Sequence, residues 1–145
     1  MAFRFPLAAV LRVRESVERQ EERALRKILL EMAHVTRQID QLIAEIAEAC
    51  NEEERAMQRP IPASQVQMLV WKTQAAVEKR TALDRNRQTL EEQRDQQLKI
   101  YHSAHRNCET LIDLRDAQRD RYEQERTRSD QKLLDDTFAA RRQRG

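Results

Sequence analysis

Glycine is absent from Met1 to Arg144, and the only one is Gly145. Proline occurs at Pro6 and then only at Pro60 and Pro62. These are the residues that let a backbone turn sharply or stop a helix, so a chain without them has almost nowhere to bend. No glycine-rich phosphate loop can be built from such a sequence. Aromatic residues make up only 4% of the chain, which argues against an ordinary compact core. No apolar run approaches the ~20 residues that span a bilayer. The short stretch Phe5–Leu11 is followed at once by Arg12 and Arg14, so it does not read as a signal-peptide core, and the chain is expected in the cytoplasm. Two cysteines, Cys50 and Cys108, fit that compartment as free thiols.

What fills the chain is Ala, Leu, Glu, Gln and Arg, with 36% charged residues, the mix of a long helix or coiled coil. Disorder, the competing reading of so polar a chain, is set aside because the apolar residues are periodic. The fold class expected is all-α: two long helices forming an antiparallel coiled-coil hairpin, a rod rather than a globule, in one domain over residues 1–145. Helix one is expected over about 6–58, a loop over 59–63 and helix two over about 64–142. At 1.5 Å per residue they would be ~80 and ~120 Å long. Pro6 suits a first helical position, and Ser64 with Gln67 resembles a capping box opening helix two.

In helix one Leu25, Ile28, Met32, Val35, Ile39, Leu42, Ile46 and Ala49 recur in steps of three and four, which is a heptad seam. Before Leu25 the seam weakens, because Arg14, Glu18 and Glu21 fall where core residues belong; looser packing is expected there. Helix two carries a thinner seam through Val66, Leu69, Thr73, Ala76, Leu83, Leu90, Tyr101, Ala104, Cys108 and Leu111. Arg80, Arg87 and Arg94 recur every seven residues beside it, their stems expected to cover the seam while their heads reach water. A turn near Ile61 would set Ile39 opposite Leu83, Met32 opposite Leu90 and Leu11 opposite Leu111. Cys50 would then lie roughly 36 residues, or ~54 Å, from Cys108, beyond the reach of a disulfide. Helix one is used up at about Asp116, leaving an overhang over about 116–142 with few apolar residues, which is expected to need a receiver.

The charges nearly cancel, 27 basic against 25 acidic, and the signs interleave, so nucleic acid is not an expected partner. No pocket-forming sequence is present, and the carboxylates are scattered among arginines; no enzyme activity and no cofactor are expected. His102, His105 and Cys108 have some metal-ligand character, but the cysteine lies about 120° round the helix from His102 and a fourth ligand is lacking, so no metal is expected. The phenylalanines Phe3, Phe5 and Phe138 lie at the open end or on the overhang, and Trp71 near the other end. Two ends with different apolar groups suggest a different partner at each.

The opening Phe3-Arg4-Phe5-Pro6-Leu7, followed by Val10-Leu11-Arg12-Val13-Arg14-Glu15, resembles the start of the FliJ family of flagellar type III export proteins. Asp130-Gln131-Lys132-Leu133-Leu134-Asp135-Asp136 with arginines after it is similar to that family's C-terminal pattern, and the likeness extends over the whole chain in length, central break and hairpin layout. It implies a non-enzymatic stalk similar to the central stalk of rotary ATP synthases. The open end would enter the hexameric export ATPase ring (FliI-like) and promote its activity, and the tip region would contact the export gate protein (FlhA-like). It further implies export chaperones as partners, and peripheral membrane association at the cytoplasmic face of the inner membrane, through the export apparatus only. Carried over by position, the ring-facing residues are Leu7, Leu11, Arg14, Lys132, Leu134, Asp135, Asp136 and Phe138. The gate-facing residues are Gln38, Leu42, Val70 and Trp71. Glu45 and Ala49 depart from the aromatics that the family often has there. The equivalent injectisome stalk and a self-associating scaffold coiled coil stay open as alternatives.

Overall fold

The computed structural model describes residues 2–145. The chain is all-helical, two helices packed against each other: α1 (Ala8–Met57) and α2 (Ala63–Arg144). There are no strands among the described residues. Pro6 sits in a turn just ahead of α1, where the Phe5 carbonyl accepts from the Ala8 amide and the Leu7 carbonyl from Leu11. At the other break the Pro62 carbonyl accepts from Gln65 and Val66. The residue that opens α2 is therefore Pro62, and Ser64 lies already inside the first turn, not at the capping position the sequence suggested. Proline serves here because its fixed φ suits helix entry and its missing amide is one that needs no intrahelical partner.

Contacts divide the chain into two units. Unit one comprises the residues up to Glu21 with Tyr101–Gly145; unit two comprises Glu22–Ile100. In unit two Val35, Ile39 and Leu90 form a buried cluster, with Met32 and Leu83 packed against it. Two of the three pairs expected from the register, Ile39 with Leu83 and Met32 with Leu90, fall in this cluster. Nearer the loop, Thr73 Oγ1 lies 3.1 Å from Glu53 Oε1, so residues met along α2 fall as those along α1 rise. In unit one Glu18 meets His105 and Phe3 meets Tyr122, again in opposite sequence directions. The partners stand slightly beyond the expected register: His105 where Ala104 was expected, Thr73 where Leu69 was expected. Side chains of one helix pack between those of the other rather than head-on, which offsets the pairs along the axis.

The core is thin. Leu11, Val35, Ile39, Leu42, Leu90, Ala104 and Cys108 are the buried apolar residues, and no polar side chain is buried among the described residues. The arginines beside the seam are met by acids of their own helix. Arg80 and Arg87 both reach Asp84, Arg87 also reaches Glu91, and Arg94 reaches Asp95. Arg87 and Arg94 are half-buried, as expected of stems lying against apolar neighbours, whereas Arg80 is exposed. Such half-exposed pairs are worth about 0–1 kcal/mol each, so cohesion rests on the apolar line.

Ile39→Ala should therefore cost about 2–4 kcal/mol, read as the midpoint of denaturant unfolding. Leu30→Ala, at an exposed position, should stay within about 0.5 kcal/mol. Equal losses at the two positions would contradict this account of the core.

Candidate functional site

In unit one, α1 begins with Leu7 and Arg14 exposed and Leu11 buried at 5% exposure. Phe3 and Phe5 are half-buried, and the Phe3 ring lies 5.7 Å from that of Tyr122. That contact carries the pairing further along α2 than the sequence suggested, and Asp116 is still half-buried. From residue 123 to the end every side chain is exposed, although α2 continues unbroken to Arg144. The exposed end holds Lys132, Leu133, Leu134, Asp135, Asp136 and Phe138, the last 67% exposed.

Leu134 and Phe138 do not continue the line that receives α1, whereas Leu133, about three turns past Tyr122, still lies close to it. Tyr101, Cys108, Arg115 and Tyr122 recur at seven-residue steps, and the same line runs on through Ser129 and Asp136, both polar. Leu134 and Phe138, one turn apart, stand on another face. The ring-facing set also falls into two groups. Lys132 lies about ten residues, roughly 15 Å, along α2 beyond Tyr122, and Leu11 is turned into the seam rather than outward.

Between the buried Leu11 and the edge of unit one lies a polar cluster. Glu18 keeps the heptad spacing from Leu11 and Leu25 and so enters the seam, where it is half-buried. His105 of α2 sets Nδ1 2.8 Å from Glu18 Oε1 and Nε2 3.0 Å from Glu109 Oε1. The bonds from His105 and from the Cys108 thiol hold the Glu18 carboxyl below its ordinary range, and the Glu18 bond raises the His105 pKa. Cys108 is 1% exposed. Burial, reinforced by Glu18, pushes its thiol up to about 11, so it stays a protonated donor. In the sequence Glu18 looks like a flaw in the seam, and His105 like a surface residue; the signal is that both stand in or beside heptad positions of facing helices.

In unit two the gate-facing set is also divided. Trp71 is 62% exposed and Val70 is exposed beside it, with Met57, Met68 and Val77 exposed as well. Gln38 lines hollows with Lys79 and Asn86, and Leu42, 5% exposed, forms part of the wall of one of them. Lys79 and Asn86 lie roughly 12 and 22 Å along α2 from Trp71, so Gln38 and Leu42 do not form one patch with Val70 and Trp71.

These features define a two-helix protein that offers apolar side chains outward at the end of α2 and near its start. The family model described as the flagellar FliJ protein matches residues 3–145, and the chain belongs to that family. Membership makes it a protein related to flagellar export, of a structural rather than a known enzymatic kind. No curated protein and no solved structure matches the chain. No helix among the described residues is long and apolar enough to cross a membrane.

Both cysteines are free, Cys50 exposed and Cys108 buried. A thiol reagent added to the native chain at neutral pH should modify Cys50 at once and Cys108 only on unfolding. Rapid modification of both in the native protein would contradict the packing of Cys108.

Proposed function

We propose that the chain is the stalk and adaptor of a flagellar protein export apparatus. In this reading α1 and α2 form one antiparallel coiled-coil hairpin domain over residues 1–145. The observation that carries the reading is the exposed end of α2. It is a continuous helix past Tyr122 with nothing on it, yet it carries Leu133, Leu134 and Phe138. An isolated amphipathic helix gains little from its apolar residues unless something receives them. In this reading the receiver is the pore of a hexameric export ATPase of the FliI kind, which a stalk of the flagellar export family would suit.

Lys132, Leu134, Asp135, Asp136 and Phe138 would meet the ring directly, and Leu7 and Arg14 would meet it from the start of α1. Leu11 would contribute by holding α1 in place. Val70 and Trp71 would dock on an export gate protein of the FlhA kind. Gln38 and Leu42, separate from them, would form a second contact or support the first. Export chaperones would be further partners, and the chain would sit at the cytoplasmic face of the inner membrane only through these proteins. It would act by binding, as a non-enzymatic regulator of the ATPase.

Removing residues 123–145 leaves every buried residue in place and should return the cognate export ATPase to its unstimulated rate while the remaining helices stay folded by circular dichroism. Full stimulation by the truncated chain would exclude the end of α2 as the working element. Concentration-dependent self-association of the intact chain with no effect on any export ATPase would favour a scaffold coiled coil instead.

A further inference from the structure

One side chain in unit one touches both helices and two acids. His105 presents Nδ1 to Glu18 of α1 at 2.8 Å and Nε2 to Glu109, one turn along its own helix, at 3.0 Å. Tyr101 stacks on the imidazole, with ring centroids 5.9 Å apart and planes at 19°. A neutral imidazole carries one N–H, so only the imidazolium can donate to both carboxylates. A cation over the tyrosine face is favoured as well.

The surroundings are charged on both sides. From α1 come Glu18, Glu15, Arg14 and Arg19; from α2 come Glu109 and the Cys108 thiol, with Tyr101 and His102 adjoining. The thiol, with its high pKa, does not titrate in the physiological range. Glu18 thus has one fixed donor, Cys108, and one that depends on pH.

We propose that His105 is a proton-operated tie that fastens the first turns of α1 to α2 when charged and slackens when it loses its proton. On deprotonation an N–H kept on Nδ1 still donates to the Glu18 carboxylate. Glu109, the more exposed of the two acids, turns from the Nε2 lone pair into water. Glu18 keeps two donors but loses its counter-charge, so the ion-pair attraction to α2 is lost while the hydrogen bond remains. The change matters because the packing that it supplements is slight: Leu11, Ala104 and Cys108 are the buried residues of this unit.

The direction with pH follows from the two groups. His105 is raised from its ordinary 6.5, so its contribution is complete below about 6.5 and fades as pH rises through the raised value. Glu18 is lowered from 4.5, so its contribution is complete above about 4.5 and fails only as pH falls through the lowered value. The tie is tightest between those limits and slackens on the alkaline side. This inference concerns pairing within one unit and stands whether or not that unit enters a ring.

The test is amide hydrogen exchange on the full chain, corrected for the intrinsic effect of pH and followed at residues 11–21. Protection should fall roughly three- to tenfold between about pH 5.5 and pH 8.5, while the Val35–Ile39 region changes little. His105→Gln should abolish that dependence. Should this variant fold poorly, NMR titration of the wild-type rings serves in its place. His105 should titrate above the ordinary histidine value of 6.5, and Glu18→Gln should bring it down. Protection independent of pH, an unchanged pH dependence in His105→Gln, or a His105 midpoint no higher than 6.5 would overturn the proposal.

Discussion

Pairing along a single apolar line is what holds α1 to α2. That line supplies the Val35–Ile39–Leu90 cluster in one unit and Leu11, Ala104 and Cys108 in the other. Burying a Leu, Ile or Val side chain is worth about 1.5–3 kcal/mol, and each of these few residues contributes a large share of the cohesion. With so short a list, side chains on the edge of the line count. Glu18 and His105 are affordable in the seam because each satisfies the other, and Cys108 gives Glu18 a second donor. Removing His105 would leave the half-buried Glu18 carboxylate with the Cys108 thiol but without its counter-charge.

Much of the fold was legible in the residues. The missing glycines, the three prolines and the steps of three and four between Leu25 and Ala49 suffice for two helices and a break, and for Ile39 to be core. Less legible was what happens where the pattern falters. Glu18 reads as a flaw in the seam until His105 is seen across from it, and no local rule pairs residues so far apart in sequence. The entry to α2 was misread for a related reason: Ser64 has the chemistry of a cap, but Pro62 already supplies the carbonyl that begins the helix. The uncovered end of α2 was expected, and its start moved because Phe3, ahead of α1 and outside its heptads, reaches Tyr122.

Of the candidate site residues, exposure was more legible in the sequence than grouping. Leu7, Trp71 and Phe138 are exposed as partner-facing residues must be. Leu11 and Leu42 are not: heptad position buries them, and position in a family pattern cannot distinguish a residue that touches a partner from one that supports its neighbours. The same physics explains the end of α2. Beyond Tyr122 the heptad line turns polar at Ser129 and Asp136 while Leu134 and Phe138 move to another face. With Leu133 still near the old line, that end presents its apolar side chains on more than one face, as a receiver unlike α1 would require under the proposed function.

That last point is the centre of the account, and site-specific photocrosslinking tests it most directly. A photoreactive phenylalanine analogue would replace Phe138 in the full chain, with a second chain carrying it at exposed Arg128 on the same helix, each mixed with the hexameric export ATPase. The account predicts an efficient crosslink to an ATPase subunit from position 138, weakened by competition with unlabelled chain. No crosslink from position 138, with one formed instead from a probe at exposed Val77, would contradict it.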